Sequence, residues 1–245
     1  MRKTTRILLT YITINLLLML AGHQPLFRSA QAQRINAYVT AGGITSQIEG
    51  DELKGFSHWG FTGGVGAVAA LDDNDRWSLA VEAGYSGRGV YNNNHNVQNP
   101  YNINLTLHYV DIPLTVFFKD PYGGLRIGVG MVYSRLVQQP HGTIRYNPDY
   151  FIPDTTDMSF LKNDLAPAIE VKFTIWSHLQ MSIRYQYSLL PVKKDWKFTE
   201  GEKDWTNNCY NSAASFRLIW QFGDEDRNSR HKSHYKPRQK KKRKW

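Results

Sequence analysis

Apolar and polar residues alternate one by one along most of the chain after residue 33, which is the period of a β-strand with two different faces. In the stretch 77–88, Trp77, Val81 and Tyr85 fall on one face, while Glu82 and Arg88 fall on the other. Four segments alternate in this way clearly and four more do so weakly. The predicted strands are 35–44, 59–71, 77–88, 109–118, 125–134, 165–175, 179–189 and 213–222.

The connections between these eight segments alternate in length. Turn-like connections lie at 72–75, 119–123 and 177–178, and the longer ones lie at 49–57, 90–104, 138–160 and 192–208. Outer membrane barrels show this rhythm, because their short turns face the periplasm and their long loops face outward. The sequence therefore predicts an all-β fold, an eight-stranded antiparallel transmembrane β-barrel. The alternative is a soluble β-sandwich, whose inner faces also alternate.

Aromatic residues cluster near both predicted ends of the strands, as expected for rings at the two membrane interfaces. The periplasmic belt is predicted to contain Trp77, Phe118, Trp176, Trp220 and Phe222. The belt toward the long loops is predicted to contain Tyr85, Tyr91, Tyr101, Tyr133, Tyr187 and Trp196.

Both ends of the chain differ from this central part. Residues 1–32 have a basic start, an apolar run over 7–21 and Ala30-Gln31-Ala32, which predicts a cleaved secretory signal peptide. Residues 33–223 form the predicted barrel, with 16 basic and 18 acidic residues. Residues 224–245 have ten basic and three acidic residues and are predicted to be a disordered periplasmic tail. The nearly neutral barrel and the compartment exclude a nucleic-acid partner.

The polar face of the strands has seven charged residues that we expect to point into the lumen. They are Glu82, Asp111, Arg126, Glu170, Lys172, Arg184 and Arg217. Because an eight-stranded barrel is just wide enough to be filled by side chains, we expect them to pair in one zone and to leave no open solute pore. We expect Gly64, Gly66, Gly128 and Gly130 to make room for the arginines.

The sequence predicts no catalytic site, no metal site and no cofactor. His108 is the best-placed histidine, near Asp111 on one strand, but no serine is evidently paired with it. The remaining histidines lack metal-ligand spacing. Cys209, the single cysteine, is expected to be inert.

The strand Tyr109-Val110-Asp111-Ile112-Pro113-Leu114, followed by a turn and the glycine-rich stretch 123–130, resembles the PorT-like outer membrane barrels of Bacteroidota. The resemblance covers 35–222 and implies a non-enzymatic component of the type IX secretion apparatus. The hypothesis is a barrel that anchors or assists protein export. The alternative is a small surface adhesin or porin-like barrel that binds ligands through its long loops.

Besides outer membrane lipid, the expected partners are an acidic periplasmic protein, peptidoglycan or anionic lipid headgroups, all bound by the tail. The tail residues expected to make this contact are Lys240, Lys241, Lys242, Arg243 and Lys244.

Overall fold

The computed structural model describes residues 35–222 apart from 52, 54, 73–74, 93–100, 121–123, 147–151, 154–158 and 201. The predicted signal peptide and basic tail lie outside the described residues. Ten strands form within them. They are β1 (Ile35–Glu49), β2 (His58–Ala70), β3 (Trp77–Asn92), β4 (Tyr101–Lys119), β5 (Leu125–Tyr146), β6 (Ile152–Pro153), β7 (Asn163–Thr174), β8 (Leu179–Tyr187), β9 (Lys193–Glu200) and β10 (Lys203–Gln221). No helix in the described ranges is long and apolar enough to cross a membrane.

Eight of these strands make a closed antiparallel barrel in the order β1-β2-β3-β4-β5-β7-β8-β10, and β10 returns to pair with β1. The predicted eight-stranded barrel is therefore confirmed, and the sandwich is wrong. The two remaining strands add to one edge of β10, because β9 pairs with its first half and β6 pairs with β9. Both lie at the end of the barrel that has the long loops, here called the long-loop end. The opposite end is called the short-turn end.

The strands extend further than the alternation predicted. β4 begins at Tyr101 and β5 continues to Tyr146, inside two of the predicted long loops. The region predicted as the loop 192–208 is mostly the hairpin of β9 and β10. Where their side chains are described, at 103–107 on β4 and 196–198 on β9, these extensions are apolar on the inward face, which is polar in the membrane part of the barrel. A search for outward-facing apolar positions therefore does not find them.

The two faces of the wall exchange polarity along β4. Toward the short-turn end, Leu114 points outward and is 50% exposed, while Asp111 points inward. Toward the long-loop end, Leu107 points inward and is fully buried, whereas Asn104 points outward. The pairing of β4 with β5 shifts register at His108, where the exchange occurs. The position marks the boundary between a wall that faces lipid and a wall that faces water.

Aromatic side chains are exposed on the outer wall toward both ends of the barrel. The predicted periplasmic belt residues Trp77, Phe118, Trp176, Trp220 and Phe222 are all exposed at the short-turn end. Toward the long loops, tyrosine hydroxyls form hydrogen bonds with side chains of neighbouring strands. The Tyr85 hydroxyl lies 2.6 Å from His108 Nδ1, and the Tyr133 hydroxyl donates to Asn163 Oδ1 at 2.9 Å. Trp196 does not belong to this belt, because it is buried inside the barrel.

Two of the inward glycines accommodate aromatic rings and not the arginine side chains that we expected. A Cβ on Gly66 would lie 2.3 Å from the ring of Tyr38, and a Cβ on Gly128 would lie 2.4 Å from the ring of Phe117. Both rings therefore pack closely against the wall at a position without a side chain.

We expect Gly128→Ala to destabilise the barrel by about 1–3 kcal/mol, because the added methyl group forces the Phe117 ring out of its place. Gly43→Ala is the matched control, since the nearest atom to its Cβ would be 4.0 Å away. Urea unfolding of the two variants in lipid vesicles, followed by tryptophan fluorescence, measures the difference. Equal stability of the two variants would contradict the steric explanation.

Candidate functional site

Five charged side chains meet in the lumen on the side of the short-turn end, and we call them the lower cluster: Glu82, Glu170, Lys172, Arg184 and Arg217. Glu170 is at the centre. Its Oε1 lies 2.7 Å from Arg217 Nη2, and its Oε2 lies 2.7 Å from Arg184 Nη2. Across the lumen, Arg217 Nη1 lies 2.9 Å from Glu82 Oε1. The cluster therefore joins β3, β7, β8 and β10 through the interior.

Strand register explains how distant parts of the sequence meet here. Glu170 on β7 is directly opposite Arg184 on β8, and Lys172 lies two residues further along the same inward face. The Lys172 ammonium is 3.7 Å from Glu170 Oε1 and stands over the rings of Phe117, at 4.0 Å, and Tyr38, at 5.1 Å. The Tyr38 hydroxyl donates to Glu82 Oε2 at 3.2 Å. Rings and charges together fill this section of the lumen.

A second group lies nearer the long-loop end, and we call Arg88, Asp111 and Asp164 the upper cluster. Arg88 Nη2 lies 2.7 Å from each oxygen of Asp111, and Arg88 Nη1 lies 3.6 Å from Asp164 Oδ2. Ser188 donates to the same Asp164 oxygen at 2.7 Å. Asp111 therefore belongs to a different group from the other predicted lumen residues. The expectation of a single zone of pairing is wrong, because the lumen is long enough for two layers.

The remaining predicted lumen residue, Arg126 on β5, is in register with Lys172 of the lower cluster on β7. It lines a shallow cavity at the short-turn end together with Lys172, Gln180 and Gln221. Arg88 and Asp164 are the network members that the sequence prediction left out. Both could have been identified from the alternation. Arg88 is on the same polar face of β3 as Glu82, and Asp164 is on the same polar face of β7 as Glu170.

Above the upper cluster the lumen is filled by apolar side chains, which we call the outer core. Its residues are Ile48, Val90, Ile103, Leu105, Leu107, Tyr109, Leu136, Phe160, Val192, Trp196, Phe198 and Cys209. Trp196 and Phe198 enter from β9, with their ring centroids 5.3 Å apart. Cys209 is completely buried among them. The hairpin thus closes the long-loop end with a hydrophobic core.

The described residues do not assemble a hydrolytic site around the best-placed histidine. His108 points outward to Tyr85, whereas Asp111 points inward to Arg88, so they lie on opposite faces of the wall. His58 lies 3.5 Å from Ser46 Oγ, but that hydroxyl donates to the Gly89 carbonyl at 3.0 Å. Within the described ranges no group of three or more His, Cys, Asp or Glu could hold a metal ion.

Comparison with known proteins places this architecture among outer membrane proteins. A family profile described as "Outer membrane protein beta-barrel domain" matches residues 14–222. Similar solved structures include Neisserial surface protein A, with 12% identity, 76% of this chain and 97% of that chain covered, and a TM-score of 0.42. Ail of Yersinia pestis has 11% identity, coverage of 77% and 99%, and a TM-score of 0.40. OprG of Pseudomonas aeruginosa has 12% identity, coverage of 78% and 97%, and a TM-score of 0.37. None of the curated proteins matches the chain.

Proposed function

This chain belongs to the outer membrane protein β-barrel domain family, and from that premise we propose that it is a non-catalytic barrel that anchors or assists a protein secretion apparatus. Its place is the bacterial outer membrane, where the apolar outer wall contacts lipid. The resemblance of the β4–β5 hairpin to PorT-like barrels supports the more specific proposal of a type IX secretion component.

The observation that carries the proposal is the filled lumen. Paired charges fill two layers of its described part and the outer core fills a third, which supports an interior that braces the wall over one that passes solutes. A barrel built in this way presents only its rims, its lipid-facing wall and its chain ends to partners. An anchoring role uses those surfaces and requires no passage through the lumen.

The contact with the secretion machine is proposed to involve the short-turn end and the tail. Residues 224–245 carry ten basic and three acidic residues, and they follow Phe222 at the short-turn end of the barrel. Short turns face the periplasm in this class of barrel. The tail would dock electrostatically on an acidic periplasmic protein, peptidoglycan or anionic headgroups, through Lys240, Lys241, Lys242, Arg243 and Lys244.

Deleting residues 227–245 is expected to abolish export of cargo while the barrel still assembles. Export is measured as the amount of cargo at the cell surface, and assembly is measured from heat-modifiable migration of the barrel on gels. A variant with Lys240–Lys244 replaced by glutamine keeps the length of the tail and tests its charge. Docking through the charge should weaken steeply as salt rises. Normal export by both variants would refute the secretion role.

The alternative is a surface adhesin or a porin-like barrel that acts through its long loops. The β9–β10 hairpin favours the adhesin, because the outer core holds it firmly while its exposed lysines, such as Lys197 and Lys203, face outward. Unchanged export combined with altered surface binding after the tail deletion supports this alternative. Solute flux through the reconstituted barrel would support the porin-like form.

A further inference from the structure

Three exposed basic residues come from neighbouring segments on one side of the barrel at the long-loop end, and we call Arg135, Lys162 and Lys194 the basic rim. Arg135 on β5 is in register with Asn163, the residue after Lys162. The Leu161 amide donates to the Val192 carbonyl at 2.7 Å. This hydrogen bond brings the segment of Lys162 next to the segment of Lys194, which is two residues after Val192. Within the part of the chain that the structure describes, none of the three forms an ion pair.

The basic rim lies at the upper limit of the lipid-facing surface. From Ile127 to Arg135 the strand rises about 20 Å at the usual tilt, which brings Arg135 close to the top of the ~25 Å apolar band of such barrels. Tyr133, which marks the interface, is directly below Arg135 on the same face. We therefore expect Arg135, and the neighbouring segments that carry Lys162 and Lys194, to lie at the height of lipid headgroups.

The surface around and below the rim is apolar. The exposed residues there are Val129, Met131, Val137, Leu161, Ile169, Leu189 and Leu190. A ligand that binds the basic rim from the membrane would therefore contact hydrocarbon-compatible side chains at the same time. A soluble anion would contact only the basic side chains of the rim.

The charge at this level is not the same all around the barrel. On the side of β1 and β8, the Tyr187 hydroxyl donates to Glu49 Oε2 at 3.0 Å, so the interface carries an acidic residue there. Next to the rim, the exposed acidic residue Asp195 follows Lys194 in the sequence. Among the described residues of β5, the start of β7 with Lys162, and the segment 189–195 at this level, three exposed basic side chains stand against one exposed acidic side chain, which gives this described surface a net positive charge.

We propose that the basic rim binds the phosphate groups of a lipopolysaccharide-type glycolipid in the outer leaflet, while the apolar surface below it contacts the acyl chains. Such a lipid supplies anionic groups and hydrocarbon at the two heights where the barrel offers basic and apolar side chains. Guanidinium and ammonium groups donate charge-assisted hydrogen bonds to phosphate oxygens. The site is independent of the secretion role, since it uses neither the tail nor the short-turn end.

The test measures binding of phosphorylated lipid A to the full-length protein in detergent micelles, by native mass spectrometry and by a fluorescent lipid A titration. The variant Arg135→Gln/Lys162→Gln/Lys194→Gln is expected to bind at least tenfold more weakly than the unmodified protein. The matched control, Arg76→Gln/Lys197→Gln/Lys203→Gln, removes the same number of exposed charges elsewhere and keeps the tail. It is expected to bind within twofold of the unmodified protein.

Three results would overturn the proposal. The first is equal binding by the two triple variants, which assigns affinity to net charge or to the tail. The second is equal binding of dephosphorylated lipid A, which assigns it to acyl chains alone. The third is complete displacement by millimolar inorganic phosphate, which indicates a site for a free anion. Should the triple variant fail to fold, Arg135→Lys and Arg135→Gln are compared, and only the lysine variant is expected to retain binding.

Discussion

Replacing Glu170 with glutamine is expected to destabilise the barrel by about 3–5 kcal/mol. Glu170 receives short contacts from Arg184 and Arg217 and a longer one from Lys172. Glutamine has the same size, so the change removes charge and leaves packing almost unaltered. Three buried cations would then share one carboxylate, Glu82. Urea unfolding in lipid vesicles of defined composition measures the loss.

A second substitution that restores the charge balance distinguishes electrostatics from simple damage. In Glu170→Gln/Arg184→Met, one cation leaves together with the anion, and methionine fills part of the space. Because an unpaired buried charge costs more than a missing pair, we expect the double variant to be more stable than Glu170→Gln alone. If Glu170→Gln lost less than about 1 kcal/mol, or if the second change added to the loss, the lower cluster would not be a charge-balanced structural unit.

The membrane-spanning part of this fold could be predicted from the sequence because lipid imposes a simple rule on it. Each strand there must show apolar residues outward, so period-2 alternation identified the strands and placed Glu82, Glu170, Lys172, Arg184 and Arg217 inside together. The same rule cannot say which inward residues are partners, because pairing depends on strand register and on the shape of the lumen. Asp111 was therefore grouped with the wrong cations, and its partner Arg88 was overlooked.

The long-loop end was less predictable for a related reason. Beyond His108 the wall faces water outside and a hydrophobic core inside. The apolar residues of the strand therefore point inward there, whereas in the membrane part they point outward. Leu105 and Leu107 fell between the predicted loop 90–104 and the predicted strand 109–118, and Trp196 was predicted to be an interface residue. Such a switch of the apolar residues from outward to inward positions within one strand can be recognised in the sequence once the membrane boundary is known. Before that, the same pattern also fits a loop followed by a shorter strand.

The outer core provides the second large expected effect. Trp196 is only 1% exposed and packs in the same core as Phe198 and Cys209. Trp196→Ala should destabilise this core by about 3–5 kcal/mol, since it removes the largest side chain and leaves a cavity. We expect the loss to appear mainly as local opening of the hairpin end, since parts of a protein can open with less free energy than global unfolding requires. Labelling of the buried thiol of Cys209, the single cysteine in the chain, measures that opening directly.

We expect a maleimide reagent to modify Cys209 at least tenfold faster in Trp196→Ala than in the unmodified protein, while heat-modifiable migration shows that the barrel is intact. Trp59→Ala is the matched control, because Trp59 is 76% exposed on the outer wall and its removal opens no cavity. It should leave the labelling rate unchanged. Equal protection of Cys209 in the two variants would mean that the hairpin is held by its strand pairing with β10, and that the apolar side chains beneath it contribute little to closing the barrel.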